Sequence, residues 1–150
     1  MMQLHQLEYD DFGRLRFLDF FPKTAAYRED HIGGLETGIG LACSEGYPFS
    51  VFTSLPDAPW QTVEIILELG EDCPEAEGHA LLAQLGLPIR KGMSAEEVEQ
   101  CLGTPEKLGT RWLRFVVGDS CPYYVGCLVT EHGLGRVWIA RKDTVDENSD

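Results

Sequence analysis

Three runs late in the chain, RWLRFVVG (111–118), YYVGCLVT (123–130) and GRVWIARK (135–142), alternate side chains with a period of two. That is the pattern of strands lying with one face on a core. EHGLG, between the last two, supplies a hairpin turn, because Gly133 can take a positive φ at no steric cost. Two helical segments precede these runs. Residues 75–85 carry Ala76, Ala80, Leu81 and Leu85 as a stripe, closed by Gly86 and Pro88. A second helix is expected from 95 to 102. Two short helices followed by three antiparallel strands, with further strands before them, predict an α+β fold with the helix pair packed on an antiparallel sheet.

The second helix lies in GMSAEEVEQCLGTPEKLG (92–109), the best-punctuated stretch of the chain. Ser94 is placed as N-cap, and Glu97 three residues on completes a capping box. Glu96 and Glu97 put negative charge at the positive end of the helix dipole. Ala95, Val98, Cys101 and Leu102 form an apolar face, so Cys101 is expected as a buried thiol. Gly103 and Pro105 end the helix. The acids of the segment read as solvent and dipole partners rather than as acid–base groups, because adjacent glutamates diverge by about 100° on a helix.

The first half reads mainly as strands. RLRFLDFF (14–21), LETGIGLAC (35–43), FSVFTSL (49–55) and TVEIILEL (62–69) are strand-like, the last with Val63, Ile65 and Leu67 on one face. TAAYREDHIGG (24–34) is expected as a short helix, EGYP as a turn and PDAPW as a two-proline loop. One domain is expected over 1–142, comprising a strand-rich part (1–70) and the helix pair with its three strands (75–142). The acidic tail 143–150, DTVDENSD, is expected to be disordered.

Composition limits the functional classes. With 25 acidic and 12 basic residues the net charge is −13, a field that repels nucleic-acid phosphates and anionic lipids and attracts basic partners. The five cysteines (43, 73, 101, 121, 127) are odd in number and widely spaced, unlike a disulfide scaffold or a structural zinc site. No basic-then-apolar leader begins the sequence, and no apolar run approaches about 20 residues. A reduced, cytoplasmic domain without metal or cofactor is the expectation.

No local catalytic motif is visible, so no enzymatic activity is expected. GGLETGIGLA lacks the ending of a phosphate loop and the spacing of a dinucleotide loop. His31, Asp30 and Cys43 are the first candidates for a rival reading, in which a small molecule binds, or is transformed, in a pocket between the first-half strands and the helix pair. One constellation points to binding. If Leu113, Phe115, Val137 and Ile139 face inward, Trp112, Arg114, Arg136 and Trp138 share the opposite face. Trp and Arg dominate interface hot spots. Coverage of that face by the first-half strands or a helix is the competing reading.

IRKGMSAEEVEQCLGTPEKLG followed by RWLRF resembles the Gly-Met-Ser…Glu-Val…Leu-Gly-x-Pro pattern of outer-membrane-assembly lipoproteins of the SmpA/OmlA type. It is also similar to the modules of the secreted β-lactamase inhibitor protein. The resemblance covers roughly residues 76–141. It implies a helix pair on a small antiparallel sheet that holds another protein without catalysis, and it adds weight to Trp112 and Trp138. Together with the acidity, it makes a protein-binding domain with a basic partner, such as an immunity- or antitoxin-like inhibitor, the leading expectation.

Overall fold

The computed structural model describes residues 3–15, 27–31, 39–43, 50–55, 58–69 and 75–147. A 3₁₀ turn (Leu4–Gln6) and α1 (Tyr9–Gly13) open the chain. Strands β1 (Tyr27–His31), β2 (Ile39–Cys43), β3 (Ser50–Leu55) and β4 (Ala58–Glu68) follow. Then come α2 (Glu75–Gln84), α3 (Ala95–Leu102), β5 (Lys107–Leu108), β6 (Trp112–Val117), β7 (Tyr123–Thr130), β8 (Gly133–Arg141) and α4 (Lys142–Glu147). Among the described residues the strands form one eight-stranded sheet, ordered β1-β2-β3-β4-β8-β7-β6-β5, with every neighbouring pair antiparallel. The fold is α+β, with the helix pair followed by antiparallel strands.

The pairing of β4 with β8 (Glu64↔Ala140 to Glu68↔Arg136) makes one sheet of the two halves of the chain. Alternation assigns the faces. Ile65, Leu67, Leu113, Phe115, Val125, Cys127, Val137 and Ile139 are buried together, and the helical layer covers them with Leu4, Phe12, Leu81, Leu82, Leu85, Ile89 and Val98. Tyr123 is fully buried between the layers. Its ring lies edge-on to Tyr9 (5.4 Å) and tilted against Phe12 (4.9 Å), and its hydroxyl donates to the Leu7 carbonyl at 2.9 Å.

Several expectations are corrected. Residues 27–31 are a strand, not part of a helix: the segment has no apolar stripe for a helix to bury, and the ladder to β2 satisfies its backbone. Ala58, Pro59 and Trp60 belong to β4 rather than to a loop. Between the pairs Ser54↔Thr62 and Leu55↔Ala58 the register breaks, and an interrupted ladder is where a residue without N–H is tolerated. Arg14 and Leu15 follow α1 instead of starting a strand, and the rest of 14–21 lies outside the described residues, as do the EGYP turn and residues 35–38. The buried leucines of residues 75–85 are Leu81 and Leu82 on α2 and Leu85 just past its end, whereas Ala80 is exposed.

Cys101 is exposed, its Sγ 3.5 Å from the Pro88 carbonyl; on this two-turn helix Val98 alone is fully buried. Of the tail 143–150 expected to be disordered, residues 143–147 are helical and 148–150 lie outside the described residues. Asp143–Glu147 continue into α4, because Arg141 binds Asp143 and the Tyr124 hydroxyl donates to Asp146 at 2.7 Å. The capping box of α3 is present as expected, with Ser94 Oγ accepting from the Glu97 N–H and Glu97 Oε1 accepting from the Ser94 N–H. Among the described residues no helix is long and apolar enough to cross a membrane.

Candidate functional site

The outer face of the sheet, opposite the helical layer, carries Trp112, Arg114, Arg136 and Trp138. Cross-strand pairing arranges it in rows. Trp112 lies opposite Leu128, which lies opposite Arg136 and then Glu68. One row over run Arg114, Gly126, Trp138 and Ile66, and beyond them Val116, Tyr124, Ala140 and Glu64. The four expected residues therefore do share a face, though they do not play one role.

Trp138 is built into the structure. Its Nε1–H donates to Glu64 Oε1 at 2.6 Å, and its ring stacks on Tyr124 at 6.2 Å and 15°. The indole leans over Gly126, where an added Cβ would sit 2.9 Å from Trp138 Cε3. Burial pushes the Glu64 carboxyl above its ordinary pKa, and the indole hydrogen bond partly opposes that shift. Arg114 is also committed. Its guanidinium lies 4.1 Å from the Tyr124 ring centre and donates to both oxygens of Glu106, at 2.9 and 3.3 Å. Those bonds hold the Glu106 carboxyl below the usual range. On the far side of Tyr124, α4 covers the sheet, and Tyr124 and Ala140 are buried.

Trp112 is different. It is 37% exposed, and its indole lies over Gly109, where a side chain would collide with it. Between Trp112 and Trp138 the surface sinks into an open hollow of about 240 Å³, floored by Gly126 and Leu128 and flanked by Arg136. The Arg136 guanidinium pairs with Glu68. Alternation alone located the four aromatic and cationic residues. Gly126, Tyr124, Leu128 and Glu64 were missed, because their place depends on register. One signal was available: a glycine in mid-strand marks a close approach by a neighbour.

The residues of the rival pocket are not gathered by the described backbone. His31 pairs with Ile39 and Cys43 with Tyr27, so they lie at opposite ends of the β1–β2 ladder, about 13 Å apart at the usual strand rise. A separate hollow of about 350 Å³ lies at the end of α2, lined by His79, Ala83, Gly86, Leu87, Pro88, Ile89 and Arg90. It belongs to the connection between α2 and α3 rather than to a gap between the first-half strands and the helix pair. There His79 Nε2 accepts the Lys91 N–H at 3.2 Å. His132, in the β7–β8 turn, has its Nε2 3.6 Å from Glu131, and its backbone N–H donates to Thr130 Oγ1 at 3.2 Å. Among the described residues no three His, Cys, Asp or Glu side chains converge as a metal site would.

Comparison with family models, with curated proteins and with solved structures returned no match to this chain.

Proposed function

We propose that this protein is a non-catalytic cytoplasmic binding domain, immunity- or inhibitor-like in its mode of action, that holds another protein against the outer face of its sheet. The observation that carries the reading is the hollow between an exposed Trp112 and a clamped Trp138. Interface hot spots favour Trp and Arg around a preformed recess, and side chains already fixed by internal contacts lose little entropy when a partner arrives. The helix pair followed by antiparallel strands is the arrangement implied by the resemblance of residues 76–141, which lends further support.

A photoreactive amino acid at position 112 tests the reading, with one at Gln100 on the helical layer as control. A specific cross-linked protein adduct from position 112, absent from position 100, is the expected result. Equal labelling at both positions, or no adduct at 112, would refute it.

A further inference from the structure

The hollow alone says that something apolar fits; the ion pairs around it say what charge that partner carries. Arg114 and Glu106 form a pair in which the cation is withdrawn and the acid displayed, with side-chain exposures of 19% and 43%. The same holds on the far side of Tyr124, where Asp146 is more exposed than its partner Lys142. Of these three pairs, Arg136–Glu68 is the one whose cation is more exposed than its acid. Arg136 lines the hollow with its charge already paired to Glu68. Glu68 is thus tied to Arg136 in the lining of the recess, while Glu106 and Asp146 are held on the same face of the sheet through Arg114 and Tyr124. The rest of the molecule strengthens this polarity, because the net charge of −13 attracts cations over distances set by the Debye length.

We infer that the occupant of the hollow is a basic protein segment, which seats one large apolar side chain over Leu128, between Trp112 and Trp138, and lays lysine or arginine against the carboxylates of Glu106, Glu68 and Asp146. This rests on the protein-binding reading above and adds the chemistry of the partner. The apolar side chain would exclude water between Trp112 and Trp138. The flanking cations would replace Arg114, Arg136 and Lys142 as partners of these carboxylates, or share them. A segment rich in Asp or Glu meets the same apolar floor, but it must approach against the field of the whole chain.

The test uses short random peptides displayed and selected on the immobilised 150-residue chain, followed by titration of the enriched peptides. Enriched sequences should carry a large apolar residue flanked by Lys or Arg. Exchanging those cations for Glu, or the apolar residue for Gly, should weaken binding about tenfold or more. Trp112→Ala should do the same while circular dichroism and melting stay those of the parent, and high salt should also weaken binding. Glu106→Gln provides a second variant at the exposed rim and should selectively weaken peptides with flanking cations. Trp112-dependent peptides that are neutral or acidic would overturn the basic occupant and leave protein binding standing. A Trp112-dependent dimer of the chain in sedimentation would assign the hollow to a second copy and overturn the proposal as well. Absence of any Trp112-dependent peptide, together with no cross-link at position 112, would overturn both readings.

Discussion

At the scale of single residues, the two tryptophans of the outer face separate what is structural from what is available. Trp138 has a hydrogen-bonded indole, a stacked neighbour and a glycine beneath it. Trp138→Ala removes all three contacts and leaves the Glu64 carboxylate without its donor, so a loss of about 3 kcal/mol is expected in urea unfolding. Trp112→Ala should cost no more than about 1 kcal/mol, as for other partly exposed positions. Equal and large losses at both would make the face core and remove the binding site. The buried layer makes its own prediction through Cys127, whose thiol is pushed up from 9.0 to about 12 by burial. A folded pKa above the unfolded one means that the native state keeps a proton the unfolded chain releases. The associated stability is fully present below pH 9.0 and is lost as pH rises towards about 12. Burial pushes the Tyr123 hydroxyl up in the same sense. Unfolding midpoints should therefore fall steeply across that alkaline window, and Cys127→Ala should flatten the slope; an unchanged slope would show that the thiol is not desolvated in solution.

At the scale of elements, α3 shows how much a few local signals can specify. Ser94, Glu97 and Gly103 all act within one turn of the helix they delimit, so sequence spacing alone was enough to find it. Ser94→Ala should cost about 1 kcal/mol by removing an acceptor from the Glu97 N–H, measurable as a lower melting temperature with the fold intact. Ser94→Asp should recover most of it. The inward and outward alternation of β6 and β8 was legible for the same reason: each strand carries its own period of two. What was illegible depended on distant partners. Nothing within YREDH announces a strand; its identity comes from the ladder to Ile39–Cys43. Pro59 reads locally as a loop, and becomes part of β4 only because the β3 register breaks beside it. The site has the same structure of knowledge. Trp112, Arg114, Arg136 and Trp138 follow from alternation, whereas the hollow requires Gly126 to lie opposite Trp138 and Leu128 opposite Arg136, and register is set across strands.

At the scale of the whole molecule, charge and architecture pull in different directions, and salt separates them. The core is continuous from the N-terminal turn to β8, with the helical layer tied down by the bond from the Leu4 N–H to the Leu85 carbonyl (2.9 Å) and from the Leu134 N–H to the Met93 carbonyl (2.8 Å). Around that core, a net charge of −13 repels itself, and added salt should screen the repulsion and raise the unfolding midpoint at neutral pH. Helix α4 should respond oppositely. It has no buried residue, and its polar ties include Asp146 with the Tyr124 hydroxyl and, at 2.6 Å, with Lys142. The Lys142 and Tyr124 hydrogen bonds hold the Asp146 carboxyl below its ordinary 3.8. Its contribution is thus present above that value and lost as pH falls through the folded one. Hydrogen exchange should show the amides of Lys142–Glu147 opening faster than those of β7 and β8, and faster still with salt or with Asp146→Asn, while global unfolding moves the other way with salt. If α4 and the sheet instead exchange together, the helix is part of the cooperative core. The carboxylate of Asp146 is then no movable rim group, and a basic segment would have only Glu106 and Glu68 to meet.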